Sequence, residues 1–277
     1  MSALELPAIV DGATRLFGII GDPIAQVRSP EILTARLRGA GRNAILVPLH
    51  VAGERFDETV RGLKALANLD GLVITVPYKA RVLSHVDRLL ANGMRVGAIN
   101  AMRREADGSW TGDNFDGRGL VRGLRELGHR VAGHRAAVIG CGGAGSAVAV
   151  AFAEEGASAL SLFDADERRA GDLAHRVRAA FPDCAAARAA PQPDAVDILV
   201  NATPVGMAPG DGLPVPLGPL DPRLLVIDVV MKPPLTPLLR HAEACGCRTV
   251  PGRVMLEGQV EELIRFFGIA ACDHAPE

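Results

Sequence analysis

Three glycines near the middle of the chain have the spacing of a phosphate-binding turn. Gly140, Gly142 and Gly145 form a G-x-G-x-x-G pattern after the apolar residues 136–139 and before an Ala- and Val-rich segment. The first glycine permits a tight strand-to-helix turn, the second lets a pyrophosphate approach the backbone, and the third lets helix and strand pack closely. The helix N-terminus adds free N–H groups and a positive dipole. The loop predicts a dinucleotide site, and a glycine-rich turn that binds nothing is the alternative.

An acidic residue follows this loop at the distance that a dinucleotide site requires. A second apolar segment ends in Asp164, about twenty residues beyond the glycines. A carboxylate there accepts hydrogen bonds from the adenosine ribose and repels a 2′-phosphate, which favours NAD over NADP. Asp164 could instead cap the next helix, but Asp166 is better placed for that role. We therefore expect Asp164 to be free for the ribose.

A lysine lies where ligands of α/β proteins usually bind. Lys79 follows the third of three apolar segments that alternate with helical ones, a pattern that predicts a parallel sheet. Ligands of open α/β sheets bind outside the carboxyl ends of the strands, and Thr75 and Lys79 stand at such an end. Lys79 is therefore well placed to contact a ligand. The alternative for Lys79 is a solvated residue at the start of a helix.

The alternation of apolar segments predicts an α/β fold for both halves of the chain. In the first half we predict strands at 15–21, 43–51 and 69–77, helices at 29–39, 56–66 and 80–90, and a hairpin of 102–105 with 109–112. Ser29 is the predicted N-cap of its helix, and Pro48 indicates an edge strand or a bulge. In the second half we predict helices at 119–127, 144–156, 166–181, 233–245 and 260–267, and strands at 136–139, 157–164, 196–203 and 224–230. The Gly- and Pro-dense residues 205–222 indicate an irregular loop beside the cofactor.

Composition narrows the class of partner. The 277 residues contain 30 Lys and Arg against 32 Asp and Glu, so charge gives no case for nucleic acid or an anionic membrane, and we expect a small molecule. Five cysteines, an odd number, fit a reduced protein, and Cys245 and Cys247 lack the second ligand pair of a zinc site, so no metal is expected. No segment resembles a membrane span, and Glu5 stands where a signal peptide is basic, so we predict a cytoplasmic protein. As a separate expectation, the protein is a monomer or a homodimer.

From about Phe17 to Phe267 the chain resembles the shikimate/quinate dehydrogenase family. Seven segments carry the resemblance in the family's order: Gly21-Asp-Pro-Ile-Ala-Gln-Val-Arg-Ser-Pro30, Thr75-Val-Pro-Tyr-Lys79, Gly97-Ala-Ile-Asn100, Gly112-Asp-Asn-Phe-Asp-Gly117, Asn201-Ala-Thr-Pro-Val-Gly-Met207, Thr236-Pro-Leu-Leu239 and Gly252-Arg-Val-Met-Leu-Glu-Gly-Gln259. The resemblance implies an N-terminal substrate domain, residues 1–117 completed by 252–277, and a Rossmann-type nucleotide domain, residues 118–251. It places the active site in the cleft between them.

The resemblance also assigns roles to individual residues. It implies that Lys79 and Asp116 form the catalytic pair that handles the hydroxyl proton, although Asp116 taken alone could be a helix N-cap. The substrate residues that it retains are Ser29, Thr75, Asn100 and Gln259. The cofactor residues that it implies are Gly140, Gly142, Gly143, Ala144, Gly145, Asp164, Asn201, Thr203, Pro204, Val229 and Gly252.

Several substrate positions depart from the family pattern. Val27 replaces the first serine of a Ser-x-Ser pair, Phe115 replaces a threonine, and Met231 replaces a tyrosine, while Val73 stands where asparagine is common. Fewer polar groups should weaken the binding of a compact polyhydroxy acid. We therefore expect a less polar or differently substituted cyclic hydroxy acid rather than shikimate. Arg28 could hold a carboxylate in place of the missing serine, or be an ordinary exposed arginine.

Two other functions compete with an NAD-dependent dehydrogenase of this family. The methylenetetrahydrofolate dehydrogenase group shares the two-domain plan and a lysine. The combination of Lys79 with Asp116 favours the shikimate/quinate dehydrogenase family instead. A nucleotide-binding sensor that has lost turnover would explain the departures at Val27, Phe115 and Met231. The retained pair argues against a sensor, because a binding module has no need of a proton relay.

Overall fold

The computed structural model describes residues 10–269 and contains two six-stranded sheets. Residues 1–9 and 270–277, which include Cys272, lie outside the described residues. No helix within the described part of the chain is long and apolar enough to cross a membrane.

The first sheet is built from residues 15–113. Its strands are β1 Arg15–Gly21, β2 Ala44–His50, β3 Leu69–Ile74, β4 Arg88–Leu89, β5 Ala101–Arg104 and β6 Trp110–Asp113. Their order in the sheet is β2-β1-β3-β5-β6-β4. β1 pairs in parallel with β2 and β3, whereas β5 is antiparallel to both β3 and β6. The predicted parallel core and the predicted hairpin are therefore both present, and β2, which contains Pro48, lies at the edge.

Helices cover both faces of this sheet. They are α1 Ser29–Gly39, α2 Phe56–Lys64 and α3 Ala91–Val96. Neighbouring residues of a strand face opposite ways, so Ile19 packs in the cluster that contains α1 residues, and Ile20 packs in the cluster that contains Phe56 and Val60 of α2. Two local predictions here are wrong. The N-cap of α1 is Arg28 rather than Ser29, and residues 80–90 form a 3₁₀ turn, Arg81–His85, followed by β4.

The second sheet is entirely parallel. Its strands are β7 Arg135–Ile139, β8 Ala159–Phe163, β9 Ala185–Arg188, β10 Ile198–Asn201, β11 Leu225–Asp228 and β12 Arg248–Val250. Their order is β12-β11-β10-β7-β8-β9, so the chain moves outward from β7 to β8 and then returns to β10 on the other side. Such a switch point opens a crevice at the carboxyl end of β7, where the glycine loop begins. The short edge strands β9 and β12 were not predicted, and 205–222 is irregular as expected.

Five helices accompany this sheet or join it to the first. They are α4 Asp116–Glu126, α5 Gly143–Glu154, α6 Glu167–Ala180, α7 Pro237–Ala244 and α8 Arg253–Phe266. Glycines let α4 approach its neighbours closely. A Cβ atom added at Gly117 would lie 2.0 Å from the carbonyl oxygen of Ala147 in α5, and one added at Gly258 of α8 would lie 2.0 Å from that of Gly119. Helix α4 therefore fixes α5 and α8 against each other.

Candidate active site

Lys79 and Asp116 form a buried pair between the two sheets. Lys79 follows β3, and Asp116 begins α4 after β6. The Lys79 Nζ donates a hydrogen bond to Asp116 Oδ2 over 2.6 Å, and the two side chains are only 11% and 3% exposed. The N-cap of α4 is Phe115, so Asp116 does not have the capping role that was the alternative. Burial of an ion pair is costly unless the remaining polar atoms also find partners, so the surroundings of the pair matter.

Asn100 supplies part of those surroundings. Its Nδ2 donates to Asp116 Oδ1 over 2.9 Å and to Gln259 Oε1 of α8 over 2.8 Å. Its Oδ1 accepts a hydrogen bond from the backbone N–H of Phe115 over 2.9 Å. Four predicted residues therefore form one connected group, Lys79, Asp116, Asn100 and Gln259. Both amide hydrogens of Asn100 are donated to protein acceptors. The amide nitrogen of Gln259 is the donor of this group that could bind a ligand.

Two further buried polar residues, Asn114 and Asp113, hold the backbone around Asp116. The sequence motifs had assigned them no individual role. Asn114 is completely buried, its Oδ1 accepts from Asp116 N over 3.1 Å, and its Nδ2 donates to Ala98 O over 3.1 Å. Asp113 Oδ1 accepts from Gly93 N over 2.6 Å, and burial raises the pKa of its carboxyl group. Their position directly before Phe115 and Asp116 in a polar motif was the available signal.

The predicted substrate positions divide into polar and apolar ones. Ser29, at the start of α1, is 5% exposed, and Thr75 packs its methyl group against Gly21. Neither hydroxyl has a hydrogen-bond partner among residues 10–269, so both are available to a ligand. Arg28 is exposed and forms an ion pair with Glu31 at 2.6 Å. That pairing agrees with an ordinary surface arginine.

Three of the departures from the family pattern come together in space. Val73 and Phe115 belong to one apolar cluster, and Val27 packs against it from the loop before α1. The Phe115 ring lies 5.0 Å from the ring of Phe266 in α8. Met231, half-buried after β11, is not part of this cluster. The three apolar replacements thus share one cluster, and Phe115, which precedes Asp116 and bonds to Asn100 through its backbone N–H, links that cluster to the catalytic pair.

The glycine loop has the geometry that each glycine predicts. Gly140 has a φ of +93°, which L side chains rarely adopt, and marks the tight turn after β7. A Cβ at Gly145 would lie 1.7 Å from Gly140 O, so the third glycine permits the close packing of α5 on the turn. A Cβ at Gly142 would meet nothing within 4 Å, so the backbone there, with Ala144 in the first turn of α5, faces open space. This open cradle at a helix N-terminus fits a pyrophosphate.

Asp164 is not free, contrary to the prediction. Its Oδ2 accepts from Cys141 N over 2.7 Å and its Oδ1 accepts from Asp166 N over 2.9 Å. Asp166 caps α6 as expected, since its Oδ1 accepts from Arg168 N over 3.1 Å. The Asp164 carboxylate therefore ties the end of β8 to the glycine loop. A carboxylate has about four lone-pair sites, so unused acceptor capacity remains for a ribose.

Asn201 is the last residue of β10, the strand next to β7 on the other side of the switch point. It is fully buried and donates to Asp228 Oδ1 over 3.1 Å, while its Oδ1 accepts from both the N–H and the hydroxyl of Thr203. Asp228, whose pKa is raised by burial, also accepts from the Thr236 hydroxyl over 2.6 Å. These bonds shape the turn that contains Thr203 and Pro204. The Asn201 side chain is committed to the protein rather than open to a ligand.

Val229 and Gly252 bring the end of β11 and the start of α8 together. Val229 is half-buried at the end of β11. A Cβ atom at Gly252 would lie 2.6 Å from Val229 O and 2.4 Å from Val230 O, so only glycine fits there without movement. The two residues thus connect the nucleotide-side sheet to the helix that contributes Gln259.

Known proteins resemble the chain over nearly its whole length. A family model described as the shikimate dehydrogenase substrate binding domain matches residues 19–102. A shikimate dehydrogenase (NADP(+)) of Rubrobacter xylanophilus is 41% identical over 89% of this chain and 88% of its own length. Shikimate 5-dehydrogenase from Listeria monocytogenes, solved with shikimate and NAD, is 30% identical with a TM-score of 0.81 and covers 94% of this chain and 92% of its own. Quinate dehydrogenase from Corynebacterium glutamicum, solved with NAD, is 31% identical with a TM-score of 0.79, over 92% and 93%.

These likenesses confirm the family and the fold class that the sequence predicts. The matches extend over 89% and 94% of this chain, more than either sheet alone could account for. The chain belongs to the shikimate dehydrogenase family and is an NAD(P)-dependent oxidoreductase that acts on a CH–OH group.

Proposed function

We propose that this enzyme transfers hydride between NAD and a cyclic hydroxy acid that is less polar than shikimate. The observation that carries the proposal is the buried pair of Lys79 and Asp116. Asp116 follows Phe115 of the apolar cluster, and Lys79 lies next to Gly143 of the glycine loop. The pair can transfer the hydroxyl proton, and the cluster favours a less polar substrate.

In its neutral amine form, Lys79 takes the hydroxyl proton as the carbonyl forms. A nicotinamide bound at the glycine loop would supply the hydride acceptor for the carbon that carries this hydroxyl group. Asp116 holds the Lys79 Nζ at 2.6 Å and compensates the charge of the ammonium group after protonation. Asn100 holds Asp116 in turn and orients Gln259, so the group keeps one geometry as the substrate enters. In the reverse direction Lys79 returns the proton to the alkoxide oxygen.

Substrate contacts come from both kinds of surface. Ser29 and Thr75 have unpartnered hydroxyls that suit a carboxylate or ring hydroxyl, and the Gln259 amide can donate beside them. Val27 and Phe115 remove two hydroxyl groups from the family pattern, and Met231 removes a third. A hydroxyl that finds no partner on binding loses its hydrogen bonds to water, so a polyhydroxylated ring is disfavoured. We propose that the preferred ring carries apolar substituents at these positions.

The choice of NAD rests on Asp164. Its carboxylate lies at the end of β8 beside the glycine loop, where a 2′-phosphate would meet a negative charge. The relatives differ in this respect, because the Rubrobacter protein is named NADP(+)-dependent whereas the Listeria and Corynebacterium structures contain NAD. Gly142 and Ala144 would hold the pyrophosphate, with Thr203, Pro204 and Val229 toward the nicotinamide.

We also propose the domain limits that the family resemblance implies. Residues 1–117 with 252–277 form the substrate domain, and 118–251 form the nucleotide domain. The β1–β6 sheet and the match of residues 19–102 fall within the first, and β7–β12 fall within the second. Helix α8 packs its Leu263 and Ile264 into the cluster of the first sheet, which supports its assignment there.

A substrate screen tests the function. The purified protein is offered a panel of cyclic hydroxy acids, including shikimate and quinate, with NAD and separately with NADP, and reduced nicotinamide is followed by absorbance. We expect the highest kcat/KM for a less polar acid with NAD. Comparable kcat/KM with shikimate would refute the substrate proposal, and turnover unchanged in Lys79→Ala would refute the catalytic one. Absence of turnover on every acid, with NAD bound, would identify a sensor.

A further inference from the structure

The glycine loop touches the reacting lysine across the cleft. Gly143, the first residue of α5, lies so close to Lys79 that a Cβ atom built on it would be 3.0 Å from Lys79 Cβ and 3.1 Å from Lys79 Cδ. Gly143 does not belong to the G-x-G-x-x-G spacing formed by Gly140, Gly142 and Gly145. The resemblance counts Gly143 among the cofactor residues, but the three-glycine spacing does not require glycine at this position.

Both backbones are held near this contact. In helix α5, Gly145 packs against Gly140 O and Gly117 of α4 packs against Ala147 O. The Lys79 carbonyl oxygen accepts from Ile99 N over 2.8 Å, and the Lys79 Nζ donates to Asp116 over 2.6 Å. Rotation of the side chain can move Lys79 Cδ but not Cβ, whose position follows the backbone. A methyl group at position 143 must therefore displace the stem of Lys79, together with its Cβ, by a few tenths of an ångström.

We infer that Gly143 is a positioning residue for Lys79. The missing Cβ lets the nucleotide loop form one wall of the lysine's channel, while Asp116 fixes the far end. The loop that receives the dinucleotide thereby also sets where the proton acceptor stands. This inference rests on the catalytic role proposed for Lys79, and it assigns to Gly143 an effect on turnover rather than on nucleotide affinity.

A double-mutant cycle separates this effect from a general loss of structure. Gly143→Ala is made in the wild-type background and in Lys79→Gly, which removes both the Cβ and the Cδ that the added methyl group would meet. Because a small misplacement of a reacting group reduces rate strongly, we expect Gly143→Ala to lower kcat about tenfold in the wild type, and to change the residual turnover of Lys79→Gly less than about twofold. The dissociation constant for NAD, measured by calorimetry, should change less than about threefold.

The thermal midpoint provides a readout that needs no substrate. Gly143→Ala should lower it in the wild type and leave it unchanged, or raise it, in Lys79→Gly, because alanine is a better helix former than glycine once the contact with the Lys79 stem is gone. Gly171→Ala is the matched control: Gly171 lies in α6, and an added Cβ would meet nothing within 4 Å. It should not alter kcat in either background.

The outcomes distinguish two failures. Turnover that survives Lys79→Ala overturns the proposed catalytic role. Turnover that falls strongly in Lys79→Ala, together with a Gly143→Ala shift of the thermal midpoint that is equal in the wild type and in Lys79→Gly or absent from both, overturns the positioning role alone. A selective loss of NAD affinity in Gly143→Ala would do the same, since it would make Gly143 an ordinary nucleotide contact.

Discussion

Asn100 and Gln259 are 159 residues apart in the chain and share a hydrogen bond of 2.8 Å beside the catalytic pair. The same Asn100 nitrogen donates to Asp116. Asn100, which directly precedes β5, therefore joins the start of α4 to α8. The family resemblance names Asn100 and Gln259 as substrate residues. Their mutual bond gives Asn100 a second role, because it also orients the carboxylate that holds Lys79.

Asn100→Ala should therefore reduce both turnover and stability. Loss of the Nδ2 donor leaves Asp116 Oδ1 buried without its partner, which costs about 1–3 kcal/mol of unfolding free energy. We expect kcat to fall by about 10- to 100-fold because Asp116 no longer fixes Lys79 in one geometry. Urea denaturation and initial rates measure the two effects. Asn68→Ala, which removes an exposed asparagine bonded to Thr14 O, is the control, and an equal loss of kcat there would contradict the argument.

Asp164→Ser should shift cofactor preference toward NADP. The substitution removes the negative charge that a 2′-phosphate would meet, and we expect the ratio of kcat/KM for NADP to that for NAD to rise at least about tenfold. Both values should also fall, because Cys141 N loses its carboxylate acceptor and the glycine loop becomes less ordered.

Asp166→Ser is the matched control for this change. Asp166 caps α6 without contacting the glycine loop, and serine is also a good N-cap, so the cofactor ratio should stay constant. A ratio that is unchanged in Asp164→Ser would show that another residue sets the preference.

The Cys141 thiol should be inert in the native protein. Burial, with a smaller contribution from Asp164, raises the pKa of Cys141 to about 12. The unfolded thiol ionises near pH 9, so the free energy of unfolding should fall as pH rises from about 9 to about 12, and Cys141→Ala should remove that part of the slope. At pH 8 iodoacetamide should alkylate Cys141 only after denaturation, as mass spectrometry of peptides can show. Rapid native alkylation, at a rate like that of half-exposed Cys245, would contradict this pKa.

Gly258→Ala should separate α8 from α4. Its Cβ would lie 2.0 Å from Gly119 O, a backbone atom that cannot move alone, so we expect a loss of about 1–3 kcal/mol or more. The next residue is Gln259, so kcat/KM should fall as well. Gly62→Ala in α2, where an added Cβ meets nothing within 4 Å, should preserve activity and keep or raise the urea midpoint. An unperturbed Gly258→Ala would show that the helices are packed more loosely.

The local sequence predicted much of the fold because its signals are short in range. The glycine spacing after β7 depends on one turn, and the structure realises it with Gly140 at positive φ and Gly145 against the Gly140 carbonyl oxygen. The β1 and β5–β6 patterns were similarly local. The prediction failed at residues 80–90, where apolar residues at helical spacing form a 3₁₀ turn and β4, because pairing with β6 supplies backbone hydrogen bonds that a helix would otherwise supply.

The candidate site shows the same division. Sequence motifs named Lys79, Asp116, Asn100 and Gln259 individually, since each stands in a recognisable segment. They could not reveal which of these side chains bond to each other, that Asp164 accepts from Cys141 N, or that Val27, Val73 and Phe115 adjoin one cluster.

Residue types and spacing thus determined the family, the nucleotide loop and the chemistry that the polar groups can perform. Only the tertiary structure decided that Asn100 bonds to both Asp116 and Gln259 and that Lys79 contacts Gly143. The physical reason is that a hydrogen bond or a missing Cβ acts over about 3 Å, and chain segments that are far apart in sequence reach that distance only when both sheets and the helix between them are packed.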